Sequence, residues 1–359
     1  MKAFDAKSLP LKDSDLNQSV YMEALIDATT RLEVYKTKLD GSKLDRSWFL
    51  PTLQKKEALA SSQIEGTQAT LDGVLIDQVN PSEKDKDMSE VRNYVNAALE
   101  GYHYLKTNPM SVDFIKHLHK ILMSGNVRRN KATVPGEFRH GQNYLGSNKM
   151  VSYIPPIAEN VDKLMENFVE YFNSTDEQLR PLVRAAIMHA QFETIHPFMD
   201  GNGRVGRILI PLFLYKHKQI SLPCFFISET LERDKFKYYA LLNGIREEND
   251  WNSWVDFFLS AVDQQCGKYI ELVDRINTLY EADLEKAKQV IKSNKVVDVI
   301  NLLYKYPAIN TSTVSNEAGI PSVTATRYLN ALEECKILYS DKRPKNRTYY
   351  YYGVLEIIR

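Results

Sequence analysis

The chain has 359 residues, enough for two or three domains each with its own core. Hydrophobic residues make up 43% and charged residues 26%, as in ordinary globular proteins. Lys+Arg and Asp+Glu both total 46, so overall charge points to neither a nucleic acid nor a membrane surface, while leaving room for a local basic patch.

Cys224, Cys266 and Cys335 are odd in number, widely spaced and without a C-x-x-C pair. That argues against a disulfide framework or a zinc site and fits a reducing cytoplasm. Residues 1–18 lack the apolar stretch of a secretory leader, and no apolar run reaches the ~18 residues of a membrane span.

Taken in order, the chain reads as mostly helical. Residues 1–20 are polar and read as an extended arm. Met22, Leu25, Ile26, Leu32, Val34 and Leu39 recur at helical spacing over 21–40, and Gly41 is placed to stop that helix. A second helix is expected over 51–65 with Pro51 in its first turn, where a missing N–H is harmless. The charged run 80–88 reads as a loop, with helices over 89–105 and 111–123. Gly136, Gly141 and Gly146 then break the pattern, and 134–155 reads as a hairpin. Helices resume over 158–173 and 178–195 and, after a loop, over 203–217, 231–247 and 251–275; Pro211 predicts a kink or a local replacement of its lost hydrogen bond. Residues 276–295, rich in Glu, Lys and Ala, read as an exposed connecting helix. The last 64 residues give three helices and then a hairpin, the order of a small winged helix-turn-helix domain.

The loop at 196–207, HPFMDGNGRVGR, concentrates the chemistry. Pro197 biases His196 out of helical geometry, so His196 stands on a loop with the neutral pKa a general base needs near pH 7. Gly201, Asn202 and Gly203 permit tight backbone angles just before a helix, whose first N–H groups bind anions. Arg204 and Arg207 lie three apart on one helical face and reach the same phosphate chain. Asp200 is a hard oxygen ligand suited to Mg²⁺ bridging phosphates. Together these residues describe a phosphoryl-type transfer built on positioning and charge, with His196 deprotonating an incoming hydroxyl.

The same stretch resembles the Fic signature H-P-F-x-[DE]-G-N-G-R-x-x-R at every fixed position. The resemblance covers roughly residues 55–260. It implies a mainly α Fic fold with a β-hairpin flap, and transfer of AMP from ATP to a Ser, Thr or Tyr hydroxyl of a target protein or of the chain itself. It casts His196 as the base and Asp200 as the Mg²⁺ ligand. Gly201, Asn202 and Gly203 form the anion hole, and Arg204, Gly206 and Arg207 join the phosphate contacts. A dinucleotide-binding reading of GNGRVG fails, because no strand precedes it. Two alternatives remain open at this level: removal of AMP by the same site, and a DNA-binding regulator that only senses nucleotide.

Three further segments fit the resemblance. SSQIEGTQ at 61–68 is similar to the family's inhibitory motif, with Ser61, Glu65 and Gly66 in register. A carboxylate at Glu65 paired with Arg207 would misplace the triphosphate. KMVSYIPP at 149–156 stands where a flap is expected, with Met150, Val151, Ser152 and Tyr153 offering a strand edge to a target segment. Tyr238 and Tyr239, with Asn243, resemble the adenine-side element. In the C-terminal unit, Ser322, Thr324, Thr326 and Arg327 are polar at the start of a recognition-type helix, and Lys342, Arg343, Lys345 and Arg347 make a basic hairpin tip; DNA is one partner this pattern fits, and a protein-interaction or dimerisation surface is the other. The expected division is an N-terminal helical region at 1–105, a catalytic core at 106–275, a connecting helix at 276–295 and the winged unit at 296–359. A homodimer is compatible with it.

Overall fold

The computed structural model describes residues 2–79, 81, 84–147, 150–175, 178–222 and 224–359. Lys149 of the expected flap and residues 80, 82 and 83 of the expected loop lie outside the described residues.

After an extended arm, α1 (Gln18–Asp40) begins at Asn17, whose side chain accepts from the Ser19 N–H. It is followed by α2 (Arg46–Ile64), α3 (Leu71–Val79), α4 (Lys86–Leu105) and α5 (Val112–Leu122). Helix α2 starts five residues before Pro51, capped by Asp45, so Pro51 sits inside the helix and not in its first turn. Helix α3 was not anticipated.

The expected hairpin is shorter than its glycine-marked segment. Only β1 (Leu145–Ser147) and β2 (Met150–Tyr153) pair, antiparallel, with a bulge between Leu145 and Gly146. Residues 134–144 are turns and irregular chain. Then come α6 (Val161–Asn173), α7 (Pro181–Ile195), α8 (Asn202–Lys216), α9 (Ser228–Arg233) and α10 (Lys235–Glu248). Every α7 residue from Leu182 to Ile195 is buried, and so is α8 from Val205 to Leu214. Helices buried on all sides belong at the centre of a domain, and this pair carries the signature loop between them. Helix α8 continues through Pro211.

Helix α11 (Trp251–Val290) runs unbroken for 40 residues, roughly 60 Å at 1.5 Å per residue. The expected boundary at 275 is therefore absent: Ile276, Tyr280, Asp283 and Ala287 are buried along its second half, so this part is not an exposed connector. Helix α1 lies parallel to it, with Asn17 bonded to Asn252, Arg31 to Asp263 and Ser42 to Asn277.

The remaining elements are α12 (Val296–Lys305), β3 (Ala308–Asn310), α13 (Thr311–Ala318), α14 (Ser322–Glu334), β4 (Tyr339–Ser340), β5 (Thr348–Tyr350) and α15 (Tyr352–Ile358). The three strands form one antiparallel sheet in the order β3-β5-β4. This unit rests on α2, where the Thr52 hydroxyl donates to the Tyr304 carbonyl. No helix among the described residues is long and apolar enough to cross a membrane.

Candidate active site

His196 closes α7 in the left-handed region, φ 50° and ψ 60°. A non-glycine residue held there is strained, and Arg139 supplies the restraint. Its Nε donates to the His196 carbonyl at 2.9 Å, and its own N–H donates to the Pro197 carbonyl at 2.9 Å. The loop is fixed further by Asn202, whose Oδ1 accepts from the Phe198 N–H and whose Nδ2 donates to the Phe198 carbonyl, both at 2.8 Å. Asn202 therefore shapes the loop with its side chain and leaves its backbone N–H for an anion, a narrower part than sequence reading gave it. His119 stacks on Phe198 at 3.7 Å and lies 3.0 Å from the Asp200 carbonyl. Because His119 Nδ1 accepts from the Gly136 N–H, its Nε2 is the donor to Asp200.

Burial, then the nearby Arg246 and Arg139 charges, lower the His196 pKa to about 3. The imidazole is consequently neutral throughout the physiological range and so able to accept a proton, though not poised near pH 7 as its residue type suggests, because burial lowers it. Its Nδ1 is buried without a hydrogen-bond partner among the described residues.

Helix α8 begins at Gly201, φ 80°, a conformation that glycine adopts without strain. The Val205 N–H is the first to bond back, to the Gly201 carbonyl. The N–H groups of Asn202, Gly203 and Arg204 thus form the open, positive end of the helix dipole. Arg204 is 4% exposed. Its Nε and Nη1 have no hydrogen-bond partner among the described residues, where the nearest carboxylates, Glu90 and Asp200, stand 4.0 Å away. A buried guanidinium with unused donors is a standing demand for an anion.

Arg207 is 1% exposed and is held through Nε and Nη2 by the end of α2 and its cap. Its Nε donates to the Ser61 hydroxyl at 2.7 Å, and its Nη2 donates to the Ser61 carbonyl at 2.9 Å and to Glu65 Oε1 at 2.8 Å. Burial works most strongly against the Arg207 charge, and Glu65 together with Tyr238, Tyr239 and Glu193 outweighs it, so the guanidinium stays protonated. Residues 57, 61 and 65 lie four apart and share one face of α2. Glu57 anchors that face by accepting from the Ser228 N–H and hydroxyl and from the Tyr94 hydroxyl. Gly66, φ 96°, lets the chain turn away after Glu65.

Gly203 shows what the anion hole is built to hold. A Cβ there would overlap Glu65 Oε1 and press on Arg207 Nη1. Glu65 Oε1 fills the space beside Gly203. Gly203→Ala is therefore expected to displace Glu65 and narrow the phosphate position together. The melting-temperature rise on adding ATP and Mg²⁺ reads this directly: it should be largely lost in Gly203→Ala, and a wild-type rise would count against the assignment.

His196, Asp200, the start of α8, Arg207 and Glu65 open onto one cavity of 550 Å³, whose wall does not include Arg204. Its wall includes His196, Asp200, Gly203, Arg207 and Glu65, and on the other side Ser152, Tyr153, Tyr239 and Asn243. Tyr238 also borders it but is 1% exposed and bonds His189 Nε2 through its hydroxyl at 2.9 Å, so it belongs to the core as much as to the site. Tyr239, 42% exposed, is the open ring. The flap is held by the Tyr153 hydroxyl, which donates to the Thr194 carbonyl at 2.8 Å, and by Arg246, stacked 3.8 Å from the Tyr153 ring centroid.

The donor set fits Mg²⁺ carried in on a nucleotide better than a resident metal. Asp200 is one carboxylate, already accepting from the Gly201 and Asn130 N–H groups. No group of three or more His, Cys, Asp or Glu stands together among the described residues. Mg²⁺ commonly keeps its waters and binds through one or two carboxylates plus substrate phosphates.

Sequence reading missed Arg139, Glu193 and Arg246. Glu193 lies three residues before His196 on the last turn of α7, a spacing that signals a shared face only once the helix is known.

Comparison with known proteins agrees with this geometry. The profile of the Fic/DOC family matches residues 109–214, and that of the Fic/DOC family N-terminal region matches residues 22–103. Curated relatives include "Protein adenylyltransferase Fic" of Drosophila willistoni, 27% identical over 233 residues, a match covering 63% of this chain and 42% of the relative. The protein of the same name from Drosophila melanogaster is 27% identical over 231 residues, covering 62% and 42%. The chain thus matches about two fifths of the length of these relatives. Among solved structures, a Fic family protein from Desulfovibrio desulfuricans G20 superposes with a TM-score of 0.58 at 21% identity over 94% of this chain and 97% of that one. Fic-1 of C. elegans gives 0.54 at 20% identity, covering 72% and 74%. These likenesses establish the fold, and the two profiles together span more than half of the 359 residues: the chain belongs to the Fic/DOC family.

Proposed function

We propose that this chain is a protein adenylyltransferase that moves AMP from ATP to a protein hydroxyl and is held low by Glu65. The carrying observation is the convergence, in one cavity, of a neutral histidine, an open helix N-terminus and the buried Arg207. In this reading Arg204, Arg207 and the α8 N–H groups hold the triphosphate. His196 takes the proton of the incoming hydroxyl, the new O–P bond forms at the α-phosphorus, and pyrophosphate leaves. Asp200 would hold Mg²⁺, which supplies charge neutralisation on the phosphates. Tyr239 and Asn243 flank the adenine, and the β2 edge aligns the acceptor segment. The printed names of the Drosophila relatives support the activity. Intact mass of the chain and of offered acceptor proteins, after incubation of Glu65→Gly with Mg²⁺ and ATP, tests the reading: an AMP adduct is expected, and unmodified protein throughout would overturn it.

A second reading concerns residues 296–359, for which we propose duplex DNA as a partner. It is favoured by the outward face of α14, where Ser322, Val323, Thr326 and Arg327 are exposed and no acid interrupts them. Beside this stands the exposed 342–346 tip. Lys342 pairs with Glu333 at 2.8 Å and Arg343 with Asp341 at 3.5 Å, surface pairs worth little and readily exchanged for phosphates. Duplex binding by the full chain should weaken steeply with salt. Replacing Lys342, Arg343, Lys345 and Arg347 by Ala should flatten the log–log salt slope by up to about 1 per phosphate contact removed. An unchanged slope, or no binding at low salt, would rule DNA out.

A further inference from the structure

Glu193 is a buried carboxylate that the proposed mechanism does not use. It is 7% exposed, and its Oε1 has no hydrogen-bond partner among the described residues. A Cβ at Gly206 would overlap that oxygen, so the glycine next to Arg207 is what admits the carboxylate. The backbone fixes Glu193 in place, since its carbonyl accepts from Arg246 Nη2 at 3.1 Å.

The charged and titratable groups facing it come from four elements. From α7 itself, burial lowers His189 and His196 to about 3, so both are neutral. Helix α8 contributes Arg207, α10 contributes Arg246, Tyr238 and Tyr239, and the end of α2 contributes Glu65. Two carboxylates, Glu65 and Glu193, thus line one cavity with the buried Arg207. Glu65 makes the hydrogen bond, and Glu193 is left without one.

We propose that Glu193 is the proton-carrying partner of the Arg207 anion site. When a carboxylate or a phosphate lies on Arg207, Glu193 takes up a proton; when that anion leaves, Glu193 releases the proton and becomes the counter-charge of Arg207. This keeps the buried guanidinium compensated in every state. Burial first, with the Glu65 charge, and against Arg207 and Arg246, raises the Glu193 pKa to about 7 with Glu65 seated. Removing the anion takes away a raising influence and frees Arg207 to lower it. The anion-bound state therefore holds the proton more tightly, and anion binding is favoured below pH 7 and weakens as pH rises.

The inference rests on reading Arg207 as a phosphate grip. The test uses binding alone, so it stands apart from whether AMP is transferred. Glu65→Gly removes the internal competitor, and affinity for ATP with Mg²⁺ is measured by calorimetry between pH 6 and 8. Affinity should fall about five- to tenfold across that range by proton linkage. The double variant Glu65→Gly/Glu193→Gln, whose amide carries no titrating proton, should be flat over the same range, and any proton taken by the nucleotide itself cancels in the comparison. Parallel pH profiles in the two variants would overturn the proposal. Absence of nucleotide binding at every pH would overturn both it and the phosphate reading of Arg207. Should the double variant fold poorly, infrared difference spectra of Glu65→Gly decide instead: a protonated-carboxyl band must grow on adding ATP with Mg²⁺, and its absence refutes the proton uptake.

Discussion

Glu65→Gly is expected to raise AMP transfer about 10- to 100-fold, the range that loss of a charge-assisted bond worth ~1.5–3 kcal/mol corresponds to at ~1.4 kcal/mol per tenfold. The carboxylate does two things in the seated state. It occupies the space beside Gly203, and it accepts from Arg207 Nη2 at 2.8 Å. Both positions must be vacated before a triphosphate can lie along the α8 N-terminus. Glycine removes the carboxylate while Ser61 still steadies Arg207 from two sides. The rise should therefore appear together with tighter ATP binding. Initial rates at saturating and subsaturating ATP separate the two contributions. If turnover and ATP affinity both stay at the wild-type level, Glu65 is a surface carboxylate with an incidental partner.

His196→Ala in the Glu65→Gly background is expected to lower transfer by about 10²- to 10⁴-fold, the usual contribution of a positioned general base. The loop should survive the change. Arg139 bonds the His196 carbonyl and not its ring, and Asn202 bonds the Phe198 backbone. Loss of the imidazole also removes a left-handed β-carbon substituent of modest size, so the helix end is not expected to rearrange. ATP binding should stay within a few-fold of the parent, because no phosphate contact is assigned to His196. A parallel loss of ATP affinity would place the histidine in binding and not in proton transfer.

The chemistry of HPFMDGNGRVGR was legible in the sequence because its parts are local. Pro197 takes His196 out of the right-handed helix, Gly201 supplies a left-handed turn, and Arg204 and Arg207 follow at helical spacing. The meeting of Glu65 with Arg207, 142 residues apart, was legible only through the resemblance of SSQIEGTQ to a known motif. Nothing in propensity or periodicity brings the end of α2 onto α8. Arg139 and Arg246 were missed for the same reason: each acts by reaching backbone carbonyls on a distant segment, and a carbonyl leaves no mark in sequence. Pro51 misled because a proline inside a helix reads as a start signal, while Asp45 supplies the actual cap. The continuity of α11 was hidden by composition. Its second half looks exposed, yet Ile276, Tyr280 and Ala287 recur on one face and are buried.

The central claim is a competent AMP-transferring site restrained by Glu65, and one measurement addresses it most directly. Wild type, Glu65→Gly and Glu65→Gly/His196→Ala are incubated with Mg²⁺ and ATP labelled at either the α- or the γ-phosphate, and protein-bound label is counted. The account predicts label from the α-position only, strong in Glu65→Gly, weak in wild type and lost in the double variant. Label from the γ-position, or equal α-label with and without His196, would contradict it.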